Sequence, residues 1–242
     1  MNFIRGKILH EGKANTIYEV KDRPFFVEMD FTDRISAGNG AKKAVIKGKG
    51  ITNKTYAINL FTLFSHENVP THCMFDGSTE SSIIVQKADM IPLEVIGRFI
   101  AAGSFCNRYN ISAGTVFDSM IFELCYKNDN LGDPFISESA AAYGLKLASI
   151  SDIQLIQNYT QKIGIIAQQF FKKLGLTLVD FKVEFGFNQK GKLMLCDEFS
   201  LDTCRLLDEN GNSLDKDIFR KGADIGNVEK TYQTALEKLL KQ

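Results

Sequence analysis

From Val179 to Phe185, every second residue of LVDFKVEFG is apolar, and the residues between are Asp180, Lys182 and Glu184. Alternation with a period of two reads as a strand with one face in a core. The other face then carries acid, base, acid. Asp197 and Glu198 follow on the next apolar run, KLMLCDEF, so one of them can face the same way. Gathered carboxylates repel one another unless a cation compensates, and a few hard oxygen ligands suit magnesium that arrives with phosphates. A solvated sheet face holding an ordinary Glu–Lys pair is equally compatible with the hairpin alone. Spacing adds a limit. Residues i and i+4 on a strand stand roughly 13 Å apart at about 3.3 Å per residue. Asp180 and Glu184 are therefore expected to serve different ligands, with Lys182 between them as a compensating charge and Asp197 as the nearer partner of Glu184.

Other residues extend this vocabulary. GKILHEGKANTIYEV resembles a P-loop and fails as one: five residues separate Gly6 from Gly12, and Lys13 precedes Ala14 rather than Ser or Thr. What remains is a glycine turn between strands, able to lay backbone N–H groups and Lys13 over phosphates, or a plain hairpin turn. IGRFIAAGS puts Arg98 on a strand ahead of the small-residue turn Ala101 to Ser104, and small residues let a backbone approach a ligand closely. DTCRLLD places Arg205 just past the acidic hairpin. An arginine fork suits phosphate or carboxylate, although a single arginine is more often half of a surface ion pair. YKNDNLGDP holds Lys127, Asp129 and Asp133 in a polar turn. His10, His66 and His72 form no H-x-x-x-H pair, and no Ser-His-Asp order points to a hydrolase.

These groups must be positioned by a mixed set of elements. NTIYEV and PFFVEMDF are strands joined through Lys21, Asp22 and Arg23. A helix is predicted from Asn53, with Tyr56, Leu60, Leu63 and Phe64 on one face, ending before Pro70. SSIIVQKADMIPLEVIGRFI reads as two strands broken near Pro92, and SMIFELCYK as another. A second helix is predicted from about Ser151 to Leu174, opened by a capping box of Ser151 with Gln154 and stopped by Gly175. Then come LTLVDFKVEFGF and KLMLCDEF, joined by NQKG with Gly191 at the turn, and a last helix through Val228, Tyr232, Leu236 and Leu239. That order argues for α+β rather than a regular βαβ winding.

Composition narrows the class. The chain has 242 residues, 29 basic and 29 acidic, and 44% hydrophobic residues. This is an ordinary globular composition with no basic excess to argue for nucleic acid. No run of 18 apolar residues suggests a membrane span, and the N-terminus lacks the features of a signal peptide. Five cysteines without a C-x-x-C pair read as reduced thiols in a cytoplasmic protein.

Taken in order, EGKANTIYE, DRISAGNGAKK, KGKGITN, VPTH, QKADMIPLEVIGRFIAAGS, YKNDNLGDP, LVDFKVEFG, CDEFSLDTCRLLD and DKDIFR resemble the SAICAR synthetase family nearly end to end. IPLEV followed by R-x-x-AAGS, then VDFK-x-EFG, then DE-x-S-x-D-x-x-R, is the specific part. The resemblance implies an α+β fold of the ATP-grasp and kinase-like kind. A β-rich N-terminal lobe, residues 1–90, would face a larger α+β lobe, residues 91–242, across an ATP cleft. It implies that ATP and Mg²⁺ activate the carboxylate of carboxyaminoimidazole ribonucleotide (CAIR) for attack by the amine of L-aspartate. Gly12, Lys13 and Ala14 match the loop over the ATP phosphates, and Lys87 and Met90 the strand and hinge beside the adenine. Lys127 matches a lysine near the phosphates, and Glu184 and Asp197 the magnesium-linked acids. Arg98, Ser104, Asp180, Arg205 and Arg220 match the ribonucleotide pocket. Asp33, Ser36 and Gly38 belong to a loop, Asp33 to Gly40, near the reacting centre. Lys13, Lys127, Asp180 and Arg205 form the implied catalytic set. The chain departs from the family pattern at Phe99 and at Lys221 to Ala223. No fused carboxylase domain is expected, and a homodimer is left open. A small-molecule kinase with a related cleft is the alternative enzyme, and a nucleotide-sensing relic the non-enzymatic one.

Overall fold

The computed structural model describes residues 3–38 and 41–241, so Asn39 and Gly40 of the SAGNG loop lie outside the described residues. Short alternating runs become strands and the long amphipathic ones helices. In chain order these are β1 (Arg5–Glu11), β2 (Asn15–Val20), β3 (Phe26–Phe31), β4 (Arg34–Ala37), β5 (Lys42–Val45), α1 (Lys49–His66), β6 (Cys73–Asp76) and β7 (Ser82–Gln86). There follow β8 (Asp89–Met90), β9 (Leu93–Ile100), α2 (Ser104–Tyr109), β10 (Val116–Tyr126), β11 (Phe135–Ile136), α3 (Ile150–Lys173), β12 (Thr177–Phe187), β13 (Leu193–Cys196), β14 (Cys204–Leu207), α4 (Asp217–Arg220) and α5 (Ile225–Leu240).

The strands form a five-stranded sheet, β1-β2-β3-β7-β6, a two-stranded hairpin, β4-β5, and a seven-stranded sheet. The seven-stranded sheet runs β11-β10-β9-β12-β13, with β8 and β14 also on β12. β12 is its central strand, and Val179, Phe181, Val183 and Phe185 are all buried. α3 packs on β12, α1 packs on β3 and β7, and the two helices touch each other. Tyr56 of α1 stacks on Phe171 of α3, with ring centroids 6.0 Å apart. One apolar core therefore runs beneath both sheets.

Several features differ from the sequence expectation, among them the Asp33 to Gly40 loop, in which Arg34–Ala37 is a strand paired with Lys42–Val45. α1 begins at Lys49, not Asn53, because Asp33 accepts hydrogen bonds from the backbone N–H of Gly48 and Gly50 at 3.2 and 2.9 Å. A distant side chain thus satisfies N–H groups that the helix start would leave open. α3 is capped by Ser149 with Asp152, rather than Ser151 with Gln154. The segment expected as two strands around Pro92 holds three, because Asp89–Met90 pairs separately with Phe187 and Gly186 of β12. The hairpin β12–β13 turns through Gly191 as its sequence predicts, at φ +69°.

Candidate active site

β12 carries two charge clusters on its polar face. At one end Glu184, almost fully buried, accepts from Lys127 Nζ at 2.5 Å and from Lys182 Nζ at 2.7 Å. Lys182 also donates to Asp197 Oδ2 at 2.9 Å and stands 3.8 Å from Glu94. Burial works against the charge on Lys182, but Asp197, Glu184 and Glu94 outweigh it and hold its pKa well above the usual lysine value. Burial would likewise raise Asp197, yet Lys182 keeps its carboxyl below the ordinary range. Asp197 itself sits at φ +56°, a left-handed conformation uncommon outside glycine, just beyond the end of β13. That turn aims its carboxylate back at Lys182. Lys182 does not lie between Asp180 and Glu184 as a shared counter-ion. It closes on Glu184 and Asp197, and the arginines take Asp180.

At the other end, Asp180 Oδ2 accepts from Arg98 Nη1 at 2.7 Å and from Arg205 Nη1 at 2.6 Å. The β register places them, with Asp180 opposite Arg98 on β9 and opposite Arg205 on β14. Arg205 Nε reaches Asp217, which also holds Arg220 and Lys221. The small-residue turn serves this arginine. A Cβ added to Gly103, at φ +57°, would stand 2.6 Å from Arg205 Nη2.

Both clusters open into a cleft of about 1780 Å³ lined by residues of both large sheets. Gly12, Lys13, Ala14, Ser36, Lys87, Met90, Arg98, Ser104, Lys127, Asp180, Glu184, Asp197, Arg205 and Arg220 all line it. Lys13 reaches across it to Asp129 at 3.0 Å. Asp33 and Gly38 are not among the lining residues, because Asp33 is turned to the start of α1. Phe99 lies off the cleft as well. It packs toward Phe181, centroids 6.3 Å apart, on the core side of β9.

The cleft also holds residues to which the sequence assigned no role, and Glu198, which it offered as the alternative to Asp197. Arg34 donates to Thr16 Oγ1 at 2.9 Å and to the Gly12 carbonyl at 3.3 Å, bracing the glycine turn. Its only signal was its place in DRISAGNG. His72, from VPTH, is buried with no partner for Nε2 among the described residues, and burial lowers its pKa to about 4, leaving a neutral imidazole. Beneath the acidic end, Lys49 donates to Asp202 at 2.9 Å, and Tyr232 donates to the same carboxylate. Glu198 stands beside them. Burial raises its pKa to about 7, with Asp202 and Asp197 adding to the effect.

Among the described residues no three acidic, histidine or cysteine groups converge on a metal-sized point. Glu184 and Asp197 alone are too few to hold a resident ion. They fit magnesium delivered with phosphate oxygens and water, which complete its shell.

A cleft between two sheets, with paired acids and lysines at one end and converging arginines at the other, is an α+β arrangement suited to charged small-molecule ligands. The SAICAR synthetase family model matches residues 8–239. The chain is 40% identical over 236 residues to the phosphoribosylaminoimidazole-succinocarboxamide synthase of Fusobacterium nucleatum, covering 97% of this chain and 98% of that protein. It is 39% identical to the same enzyme of Streptococcus pyogenes, with the same coverage. Among solved structures, a SAICAR synthetase in complex with ADP superposes with a TM-score of 0.89 at 35% identity, over 98% of each chain. The synthase of Ehrlichia chaffeensis gives 0.90 at 36% identity, over 96% of this chain and 98% of that one. This chain belongs to the SAICAR synthetase family and is an ATP-dependent ligase.

Proposed function

We propose that the chain joins L-aspartate to the carboxylate of CAIR, giving SAICAR, ADP and phosphate, with MgATP and CAIR meeting along β12. The observation that carries this reading is the division of one strand face into a lysine–carboxylate end and an arginine end. A free carboxylate is a poor electrophile for an amine. Transfer of the γ-phosphoryl group to a CAIR carboxylate oxygen releases ADP and makes a mixed anhydride. The aspartate amine then attacks the carbonyl carbon, the C–O bond to phosphate breaks, and the amine gives up a proton to solvent. Most of the protein's task is positioning and charge neutralisation.

In this reading the residues 1–90 lobe covers the nucleotide and residues 91–242 supply the magnesium and ribonucleotide sites. Gly12, Lys13 and Ala14 lie over the phosphates, Lys87 and Met90 flank the adenine, and Lys127 neutralises the phosphate chain. Glu184 and Asp197 hold the magnesium of MgATP, whose charge offsets that of the phosphates. Arg98, Ser104, Asp180, Arg205 and Arg220 hold the ribonucleotide, and Ser36 stands near the reacting centre. The free cysteines suit a reducing cytoplasm.

The test is ADP release from MgATP with CAIR and L-aspartate each present or omitted. Sustained release should need both. Equal release without aspartate would make the protein a kinase instead.

A further inference from the structure

Two carboxylates hold Arg98, and only one of them lines the cleft. Asp180 does and Glu123 does not. On the β9–β10 pair Glu123 is opposite Ile96 and Arg98 is opposite Ile121. The two side chains are therefore diagonal neighbours on one face. Glu123 Oε2 accepts from Arg98 Nε at 2.6 Å, and Oε1 accepts from Arg108 Nη2. The side chains of Arg98 and Glu123 are only 4% and 9% exposed. Arg108 is itself held against aromatic rings, with Cζ 3.5 Å from the Phe135 centroid and 4.8 Å from that of Tyr109. Glu123 is thus an anion fixed from behind.

The consequence for Arg98 is geometric. A guanidinium is planar and rigid, so bonds to two of its nitrogens set the direction of the third. Nε is taken by Glu123 and Nη1 by Asp180. Nη2 has no protein partner among the described residues, although Arg98 lines the cleft. Charges alternate along the run Arg108, Glu123, Arg98, Asp180, Arg205, Asp217. Without Glu123, Arg98 and the partly exposed Arg108 would lose the carboxylate that joins them, and only Asp180 would be left to orient Arg98.

We propose that Glu123 is a positioning residue for the anionic ligand of Arg98: it turns the Nη2 edge of the fork into the cleft without touching the ligand itself. This rests on the reading that the arginine end holds the ribonucleotide. A fork preset before binding lowers the ordering cost of recognition.

The test compares Glu123→Gln, Glu123→Asp, Arg98→Ala and the Arg98→Ala/Glu123→Gln double variant, by CAIR titration and by KM for CAIR and for MgATP. Glu123→Gln should weaken CAIR by roughly tenfold or more, with KM for MgATP within about twofold of wild type. Glu123→Asp keeps the charge on a shorter arm and should lose only a few-fold. The double variant should bind CAIR no worse than Arg98→Ala alone, because the effect travels through Arg98. Equal weakening of both substrates, or a Glu123→Gln loss that adds fully to that of Arg98→Ala, would overturn the proposal. If Glu123→Gln does not fold, unchanged CAIR affinity in Glu123→Asp overturns it. A normal loss in Arg98→Ala beside an unaffected Glu123→Gln defeats the positioning role alone. An unaffected Arg98→Ala defeats the ribonucleotide reading, and the positioning role with it.

Discussion

Asp180 and Glu184 share a strand face, yet their neighbours give them different chemistry. Asp180 is held by arginines and Glu184 by lysines. The amide variants separate the two. Glu184→Gln and Asp197→Asn each remove a charge while keeping shape, and each should raise the magnesium concentration needed for half-maximal activity. Asp180→Asn should leave that requirement alone and raise KM for CAIR. Magnesium titration of the three variants checks this, and equal magnesium dependence in all three would refute the assignment. A second prediction concerns Gly103. Its φ of +57° and its closeness to Arg205 leave no room for a methyl group. Gly103→Ala should displace the Arg205 fork and weaken CAIR by roughly tenfold or more, while KM for MgATP barely moves. The acid–base–acid alternation was legible in the sequence because a strand's period is two. The partner chosen by Lys182 was not, because it depends on the left-handed turn at Asp197, and aspartate, though enriched in that region, adopts it at only a few of its positions. Gly103 was legible as a close approach, but what approaches it is a side chain from β14, 102 positions along.

Local pattern was enough to place the longer strands and the body of each long helix, whereas β4, β5, β6, β8, β11 and β14, two to four residues each, are too short to show a period. β12 and β13 read from alternation and a glycine turn, and α3 from its apolar spacing. What could not be read were features set from a distance. Asp33 begins α1 from 15 residues upstream of Gly48, and β9 lies between β10 and β12 in the sheet. The N-terminal sheet shows a similar long-range dependence. Glu28 on β3 accepts from Arg5 Nε on β1 at 2.9 Å and from Ser78 and Ser82 at 2.6 Å each. Burial would raise its pKa, but these donors outweigh it and bring it down from 4.5 to about 2. A carboxylate whose pKa is depressed on folding stabilises the fold above its unfolded pKa. The contribution is whole above about 4.5 and is lost as pH falls toward about 2. Glu28→Gln should cost roughly 2–3 kcal/mol at pH 7, as expected for a buried charge-assisted network. It should also flatten the acid side of the stability curve. Urea unfolding of both proteins across pH 7 to 3 measures this, and parallel curves would mean that Glu28 is not the titrating group.

At the scale of the molecule, the two large sheets share a core on one side and leave the cleft open on the other. Side-chain bonds join the two sides of that opening. One is Lys13, in the turn between β1 and β2, with Asp129 in the turn after β10. Both side chains are exposed, at 57% and 77%. Exposed pairs contribute about 0–1 kcal/mol, so this one holds Lys13 only loosely. If Lys13 serves the ATP phosphates, the nucleotide must compete with Asp129 for it. The two partners then have opposite effects when removed. Lys13→Ala should raise KM for MgATP by roughly tenfold, because a charge-assisted contact to phosphate is lost. Asp129→Asn should lower KM for MgATP, by less than about fivefold, because only a weak competitor is removed. Neither change should alter the melting temperature by more than a degree or two, since both groups sit in exposed turns outside the core. Steady-state kinetics with varied MgATP, paired with thermal unfolding, distinguish this from a structural link between the sheets. In that case both variants would lose melting temperature and nucleotide affinity together.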